Sequence, residues 1–227
     1  MNNVASREPT MSAELRESDP SAVPTANPLL LLISAPSGGG KTTLCQQLLS
    51  TRPQMVRAVT CTTRVPRPGE RDGVDYYFLD ATNFLKRVQA GNFLEHATVF
   101  GHSYGTLKSE VLGKLRQGND VLLNVDVQGA ASIRERALED PELKRALVTL
   151  FLSPVSLAVL EERLRKRATD SPAVIQKRLA VARQEIAQWK NFDYLIMSGT
   201  VAEDLRRALA IVEAEKMRSA RSTAPDF

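Results

Sequence analysis

The feature that most restricts the fold of this chain is a glycine-rich loop between a short apolar run and a segment with helical periodicity. Residues 29–33 are all Leu or Ile, the loop spans residues 35–42, and leucines recur at helical spacing within residues 41–49. A short apolar run bounded by Pro and Gly is typical of a buried parallel strand. The loop has the spacing of a phosphate-binding loop, with Ala35 at the usual first glycine. The sequence therefore predicts a strand, a phosphate-binding loop and a helix in direct succession.

The residues of this loop have the chemistry that a nucleoside triphosphate requires. Its consecutive glycines allow backbone conformations closed to larger residues, so that N–H groups can point at phosphate oxygens beside the positive end of the following helix. We expect Lys41 to reach the β- and γ-phosphates and the Thr42 hydroxyl to coordinate Mg²⁺. A glycine-rich turn with an incidental lysine is the alternative interpretation. The predicted ATP-binding residues are Ala35, Pro36, Ser37, Gly38, Gly39, Gly40, Lys41, Thr42 and Thr43.

Farther along the chain, apolar strands alternate with amphipathic helices. The predicted strands are residues 121–127, 146–152 and 194–197, and the predicted helices are residues 128–138, 156–167 and 202–213. This alternation implies an α/β fold in which a parallel sheet is covered by helices on both faces.

Two segments interrupt the alternation. Within residues 60–118, strand candidates at 76–79 and 93–100 flank a short helix at 82–90, which indicates an inserted α+β subdomain. Residues 161–189 are charged, helical in pattern and rich in Arg and Lys.

One carboxylate stands where a ligand would be expected in such a sheet. Asp126 follows an apolar strand, and the carboxyl ends of strands in an open parallel sheet face the ligand crevice. Asp126 is therefore a candidate Mg²⁺ ligand, directly or through water. The alternative is that Asp126 caps the helix that follows.

Composition and charge exclude several classes of protein. The 227 residues are 43% hydrophobic, and the longest apolar run, residues 29–33, is far shorter than the roughly 20 residues of a membrane span. The net charge of +4 includes no long block of like charge that would indicate a nucleic-acid partner. Cys45 and Cys61 form no Cys-x-x-Cys pair, and no secretory signal is evident. We expect reduced thiols and a cytoplasmic location, without a membrane or nucleic-acid partner; the oligomeric state stays open.

Four further segments resemble the signature of the guanylate kinase family in order and spacing. They are Thr-Cys-Thr-Thr-Arg-Val-Pro-Arg-Pro-Gly-Glu at residues 60–70 with Gly73 and Asp75-Tyr76, Phe-Leu-Glu at 93–95, Gly-His-Ser-Tyr-Gly-Thr at 101–106, and Asp-Val-Gln-Gly at 126–129. The resemblance covers about residues 28–217. It implies a P-loop kinase fold with a parallel sheet core flanked by helices, an inserted α+β subdomain that binds GMP, and a helical lid. The implied reaction is phosphoryl transfer from ATP to GMP, and also to dGMP.

The acceptor's phosphate and base each have a candidate set of side chains. Arg64 and Arg67 are spaced to present two guanidinium groups to one phosphate. Guanine offers N1–H and N2–H₂ as donors and O6 as an acceptor, and in the resemblance Glu95 is the matching carboxylate. AMP would lack the N2–H₂ group and leave Glu95 unpaired. The resemblance also places Glu70 in support of the arginines. The predicted GMP-binding residues are Thr60, Arg64, Arg67, Glu70, Tyr76, Glu95, Tyr104, Thr106 and Asp126, and the predicted metal ligands are Thr42 and Asp126.

Phosphoryl transfer requires in-line positioning, charge neutralisation and exclusion of water, and a moving element would supply the last of these. In the resemblance, Arg163, Arg167 and Arg178 are the arginines of a lid that closes over the transferring phosphate. The predicted catalytic residues are therefore Lys41, Arg64, Arg163, Arg167 and Arg178.

The sequence departs from the family pattern at a few positions. Ala168 replaces a glycine in the lid, Asn124 replaces an acidic residue, and Ser198-Gly199 replaces the Asn-Asp pair near the adenine.

The pattern and the resemblance together predict one domain, residues 28–217. Its core comprises 28–59, 119–160 and 190–217, the GMP-binding insertion 60–118 and the lid 161–189, with a disordered leader at 1–27 and a flexible tail at 218–227.

Two other functions stay open. Guanylate kinase-like domains also serve as catalytically inactive binding modules, although Lys41 and Thr42 are intact here. A kinase acting on a phosphorylated ribose would share the phosphate-binding loop but lack the base-binding residues Glu95 and Tyr104.

Overall fold

The computed structural model describes residues 27–99, 101–166 and 171–222. The strands are β1 Leu30–Ser34, β2 Met55–Arg57, β3 Cys61–Thr62, β4 Tyr77–Phe78, β5 Phe93–Val99, β6 His102–Leu107, β7 Asp120–Asn124, β8 Leu147–Pro154 and β9 Tyr194–Ser198. The helices are α1 Lys41–Thr51, α2 Ala81–Gln89, α3 Lys108–Arg116, α4 Val127–Glu139, α5 Pro141–Ala146, α6 Leu157–Lys166, α7 Pro172–Ala187 and α8 Val201–Lys216. Short 3₁₀ turns lie at Gln188–Asn191 and Ser219–Arg221.

The main sheet confirms the predicted α/β class. Its strands run parallel in the order β2-β7-β1-β8-β9, with β1 in the centre. Side chains of a strand alternate between its two faces. Leu31 and Ile33 accordingly pack towards α1 and α8, whereas Leu30 and Leu32 pack towards α3 and α4. The apolar run in the sequence is therefore continuous because β1 is buried on both faces.

The second sheet has the order β4-β3-β6-β5 and is mostly antiparallel. It has its own small core, in which the rings of Phe84 on α2 and Phe93 on β5 stack at 4.6 Å beside Cys61 and Leu107. Helix α3 follows β6 directly, and the sequence assigns it to the same insertion. Its buried Val111 belongs to the core of the main sheet instead, because α3 returns the chain to that sheet ahead of β7.

Helices α6 and α7 form the charged segment that the sequence associates with a lid. Their buried apolar residues make a separate cluster, formed by Leu160, Leu164, Ile175, Leu179 and Ala182. Helix α7 begins after Ser171, with Pro172 in its first turn. Proline is tolerated there because the N–H groups of the first turn have no partner within the helix. Residues 167–170, which connect the two helices, lie outside the described residues.

The carboxyl end of the described chain differs from the predicted flexible tail. Arg221 is only 5% exposed, and its guanidinium donates to the buried Glu215 carboxylate at 3.2 Å and to the carbonyls of Arg145 and Leu147. The backbone N–H of Asn27, which the sequence assigns to the leader, donates to the Arg221 carbonyl at 2.9 Å. Arg221 therefore anchors this end of the chain to the core, because one arginine satisfies several buried acceptors, while the other residues of 218–222 are exposed. The remaining parts of the predicted leader and tail, residues 1–26 and 223–227, lie outside the described residues.

None of the described helices combines the length and the apolar character that crossing a bilayer demands.

We expect Arg221→Ala to lower the free energy of unfolding by about 3 kcal/mol, because it leaves the buried Glu215 carboxylate without its buried cation. Arg218→Ala is the matched control. Its side chain contacts the same Glu215 carboxylate but is 63% exposed, so we expect a loss of at most about 1 kcal/mol. Urea unfolding of both variants measures the difference, and equal losses would contradict the role given to Arg221.

Candidate active site

The phosphate-binding loop connects β1 to α1 at the carboxyl edge of the main sheet. Gly38 and Gly40 have φ angles of 88° and 95°, in the left-handed region that other residues rarely adopt. The N–H of Gly39 donates to the Pro36 carbonyl at 2.8 Å, and a Cβ on Gly39 would lie 2.9 Å from that same oxygen. The tight turn thus requires these glycines.

Lys41 lies across the mouth of the loop. Its amine donates to the Val125 carbonyl at 3.1 Å and to the Ala35 carbonyl at 3.4 Å, which joins the loop to the turn after β7. Burial lowers the pKa of the Lys41 amine, and the nearby carboxylates of Asp126 and Glu185 partly oppose this shift. The lysine is therefore fixed in place by backbone oxygens.

Asp126 has the capping role that the sequence left open. It precedes α4, and its Oδ1 accepts from the N–H of Gly129 at 2.8 Å. Its side chain also lines a cavity of about 330 Å³ whose floor is formed by residues 35–43 of the phosphate-binding loop. Thr42 is exposed in the first turn of α1 and lines the same cavity. The capping hydrogen bond is made by Oδ1 of Asp126, and Oδ2 takes no part in it.

Arg64 is the centre of the predicted acceptor cradle. Its Nη2 donates to both carboxylate oxygens of Glu70, at 2.9 and 3.0 Å, and its guanidinium lies 5.4 Å from the centre of the Tyr76 ring. This hydrogen-bonded pair lowers the pKa of Glu70 and raises that of Arg64. The Tyr76 ring in turn meets the Tyr104 ring edge-on at 6.3 Å. The backbone N–H of Arg67 also donates to Glu70, at 2.8 Å, while its side chain is exposed.

Glu95 and Thr106 face each other across the β5–β6 pair. The Thr106 hydroxyl donates to Oε1 of Glu95 at 2.6 Å. Burial raises the pKa of the Glu95 carboxyl, and the charge of Asp126 adds to the rise. Thr60, the other predicted base-binding hydroxyl, lies half-buried just ahead of β3.

The turn after β7 and the first residues of α4 bring the predicted donor and acceptor regions together; we call residues 125–129 the bridging turn. Val125 accepts from Lys41, and Asp126 lines the loop cavity. At Gly129, the position of a Cβ would lie 3.5 Å from Oε2 of Glu95. One short segment therefore contacts the loop lysine and abuts the acceptor carboxylate.

The model of the guanylate kinase family matches residues 27–215. The chain belongs to the guanylate kinase family. Guanylate kinase of Maricaulis maris is 42% identical over 85% of this chain and 86% of its own length, and that of Coxiella burnetii is 44% identical over 83% and 88%. The crystal structure of guanylate kinase from Anaplasma phagocytophilum superposes with a TM-score of 0.65 at 30% identity, covering 89% of this chain and 94% of that one.

Of the three arginines expected in a guanylate kinase lid, the structure places Arg163 at the cleft. Its guanidinium donates to the Ser198 hydroxyl at 3.2 and 3.3 Å, and Ser198 donates to the buried Asp204 carboxylate at 2.8 Å. These residues line a second cavity of about 330 Å³ beside the phosphate-binding loop. Arg178 is half-buried on α7 and lines neither cavity, as far as the described residues go. Arg167 lies outside the described residues.

Sequence reasoning missed two residues of this guanylate kinase cleft. Glu185 on α7 accepts from the backbone N–H of Ser37, and Asp204 holds Ser198 in the second cavity. Both are ordinary acidic residues on amphipathic helices, so no local signal separates them from solvated ones.

The hydrogen bond from Thr106 stabilises the ionised form of Glu95, so we expect Thr106→Val to raise the pKa of Glu95 further. Thr98→Val is the control, because Thr98 lies on β5, the strand of Glu95, but is exposed. Carboxyl ¹³C NMR titration measures the direction of the change in both variants. A Glu95 pKa that does not rise in Thr106→Val would show that this hydrogen bond does not hold the carboxylate.

Proposed function

We propose that this cleft transfers the γ-phosphoryl group of ATP to GMP, and also to dGMP, forming ADP and the nucleoside diphosphate. An oxygen of the acceptor's phosphate attacks the γ-phosphorus as the bond to the β–γ bridging oxygen breaks. The observation that carries this proposal is the bridging turn, which contacts Lys41 on the donor side and Glu95 on the acceptor side. A binding module would need no such junction between a donor site and an acceptor site.

On the donor side, the phosphate-binding loop supplies backbone N–H groups and Lys41 supplies a positive charge for the β- and γ-phosphates. The Thr42 hydroxyl and the Asp126 carboxylate are hard oxygen donors of the kind that Mg²⁺ takes. Among the described residues no group of three acidic, His or Cys side chains could hold a metal alone. These two residues thus fit an ion that arrives with ATP phosphates, and Mg²⁺ there would neutralise charge on those phosphates.

On the acceptor side, Arg64 would bind the phosphate of GMP, because Glu70 and Tyr76 already hold its guanidinium in place. Arg67, Tyr76 and Tyr104 would complete the phosphate cradle. A positioned guanidinium loses little side-chain entropy when the substrate binds, so the pairing favours affinity.

The base would be read by Glu95 together with the Thr60 and Thr106 hydroxyls. Glu95 is half-buried and directed by Thr106, so a base without N1–H and N2–H₂ donors would leave its charge unsatisfied. Such a mismatch costs about 1–3 kcal/mol or more, which is about fivefold to more than a hundredfold in specificity.

The lid arginines would stabilise charge on the transferring phosphoryl group. Arg163 already lies beside the phosphate-binding loop, whereas Arg178 would approach with α7. The lid at residues 161–189, the part played by Arg167 and the other domain boundaries remain predictions. A cytoplasmic setting fits this activity and the two buried free cysteines, Cys45 and Cys61.

The test of the reaction is ADP formation from Mg-ATP with GMP, dGMP, AMP, CMP or UMP in separate reactions. We expect turnover with GMP and dGMP only. Folded protein that binds GMP but releases no ADP in any reaction would favour the inactive binding module.

Glu95→Gln replaces the acceptor oxygen with an amide, and we expect kcat/KM for GMP to fall at least about tenfold. Because burial raises the pKa of Glu95, its carboxylate takes up a proton at a higher pH than an ordinary glutamate does. As the pH is lowered, KM for GMP in the unmodified protein should therefore begin to rise at that higher pH, and this rise should be absent in Glu95→Gln.

The contact of the bridging turn with Glu95 gives a second prediction. A Cβ at Gly129 would lie 3.2 Å from the Cβ of Val125 and 3.5 Å from carboxylate oxygens of Asp126 and Glu95. The approach to Val125 is tight, whereas 3.5 Å to the carboxylates is ordinary contact, so we expect Gly129→Ala to shift the bridging turn. Because this turn holds Lys41 through Val125 and abuts Glu95, KM for both ATP and GMP should rise about three- to tenfold. Gly113→Ala is the control: Gly113 is also helical, and its Cβ would meet nothing within 4 Å. Initial-rate kinetics measure both variants, and equal KM values in the two would show that the tight packing at Gly129 does not position the site.

A further inference from the structure

Glu185 brings a carboxylate from α7 to the phosphate-binding loop. Its Oε2 accepts from the backbone N–H of Ser37 at 3.4 Å, across a sequence separation of 148 residues. The side chain also lines the cavity above the loop, opposite Asp126 and close to Lys41. Backbone N–H groups of such a loop are the groups that bind phosphate oxygens. A protein carboxylate therefore occupies an amide that a donor phosphate would use.

The charges around this cavity support the same interpretation. Of the described residues that line it, Lys41 is the cation, whereas Asp126 and Glu185 are both carboxylates. Burial raises the pKa of Glu185, as expected for a carboxylate removed from water. A phosphate group entering this arrangement meets more negative than positive side-chain charge. Mg²⁺ at Asp126 would remove part of this repulsion, and departure of Glu185 would remove the rest.

We propose that Glu185 is a stand-in for the donor's phosphate: it binds the empty loop, and the phosphate of the donor must displace it. The proposal rests on the proposed function and adds a residue that sets the affinity of the donor site. Because Glu185 belongs to α7, its displacement also releases the end of this helix from the loop. Arrival of the donor is thereby coupled to the position of the lid.

The architecture of the lid is suited to this coupling. The buried apolar residues of α7, such as Ile175 and Leu179, pack in the cluster shared with α6, separate from the two clusters of the main sheet. Arg178 precedes Glu185 by seven residues, which is about two helical turns, so the two side chains emerge on the same face of α7. Release of Glu185 therefore frees the same helical face that carries a predicted catalytic arginine.

The test uses two variants and one control. Glu185→Gln keeps the shape of the side chain and removes its charge, and Glu185→Ala removes the contact as well. Glu213→Gln removes the same charge from an exposed position on α8, where the side chain pairs with Arg52 at the end of α1 opposite the loop. Calorimetry with inorganic tripolyphosphate and with ADP, each without Mg²⁺, measures the affinity of the loop directly. These probes bind without any acceptor, so the result does not depend on turnover.

We expect the Kd for both probes to fall about five- to tenfold in Glu185→Gln and at least as far in Glu185→Ala, with Glu213→Gln unchanged. The Kd for GMP should not move in any variant. An unchanged or higher Kd for tripolyphosphate in both Glu185 variants would overturn the proposal, since a structural or ligand-supporting glutamate gives that result. Absence of ADP formation with GMP, by contrast, would refute the proposed function while these affinities could still shift as expected.

Hydrogen exchange provides the readout for the lid. In the unmodified protein, tripolyphosphate should increase amide exchange in the last turn of α7, whereas in Glu185→Gln exchange there should already be high without it. Exchange that is the same in both proteins, with and without the probe, would overturn the coupling to α7.

Discussion

The parallel register of β1 and β7 determines where every other part of the cleft can lie. Ile33 pairs with Asn124, so the two strands end side by side at one edge of the sheet. The phosphate-binding loop leaves the first strand there, and the bridging turn leaves the second. Because Lys41 donates to the Val125 carbonyl, the two segments are joined before any ligand binds. The position of the acceptor carboxylate then follows, since Gly129 allows α4 to begin directly against Glu95.

Charged groups of the cleft are already paired within the protein. On the acceptor side, Glu70 holds Arg64 and Thr106 holds Glu95, so the groups that would bind GMP are in place. Their partners orient them and do not occupy the backbone that a ligand would use. On the donor side the pairing is of another kind, because Glu185 takes a loop amide itself. A partly buried charge without a partner is unfavourable, and the donor and acceptor sides both provide partners for theirs. Only on the donor side is one of these partners, Glu185, a group that the ligand has to displace.

The sequence predicted the parts of this site that depend on neighbours in the chain. The phosphate-binding loop and β1 are local patterns, and the motif residues around Arg64 and Glu95 are contiguous. Contacts between distant segments were not predictable, since the periodicity of α3 shows an apolar face but not which core that face enters. The sequence assigns Arg221 to a flexible tail, and only the structure shows that its guanidinium donates to Glu215 and to two distant carbonyls. Strands β2 and β3, of 3 and 2 residues, are too short to give a periodic signal.

Helices α6 and α7, which form the predicted lid, are attached to the core by chemically different contacts. Arg163 on α6 is linked to the buried Asp204 through the Ser198 hydroxyl, so the departure from the family's Asn-Asp pair supplies a hydroxyl that serves both as donor and as acceptor. This link keeps a guanidinium beside the loop, and a phosphate would attract it. The contact of α7 is a carboxylate, which a phosphate would repel. A negatively charged ligand therefore acts on the two helices with opposite sign, holding α6 where it is and driving the end of α7 away from the loop.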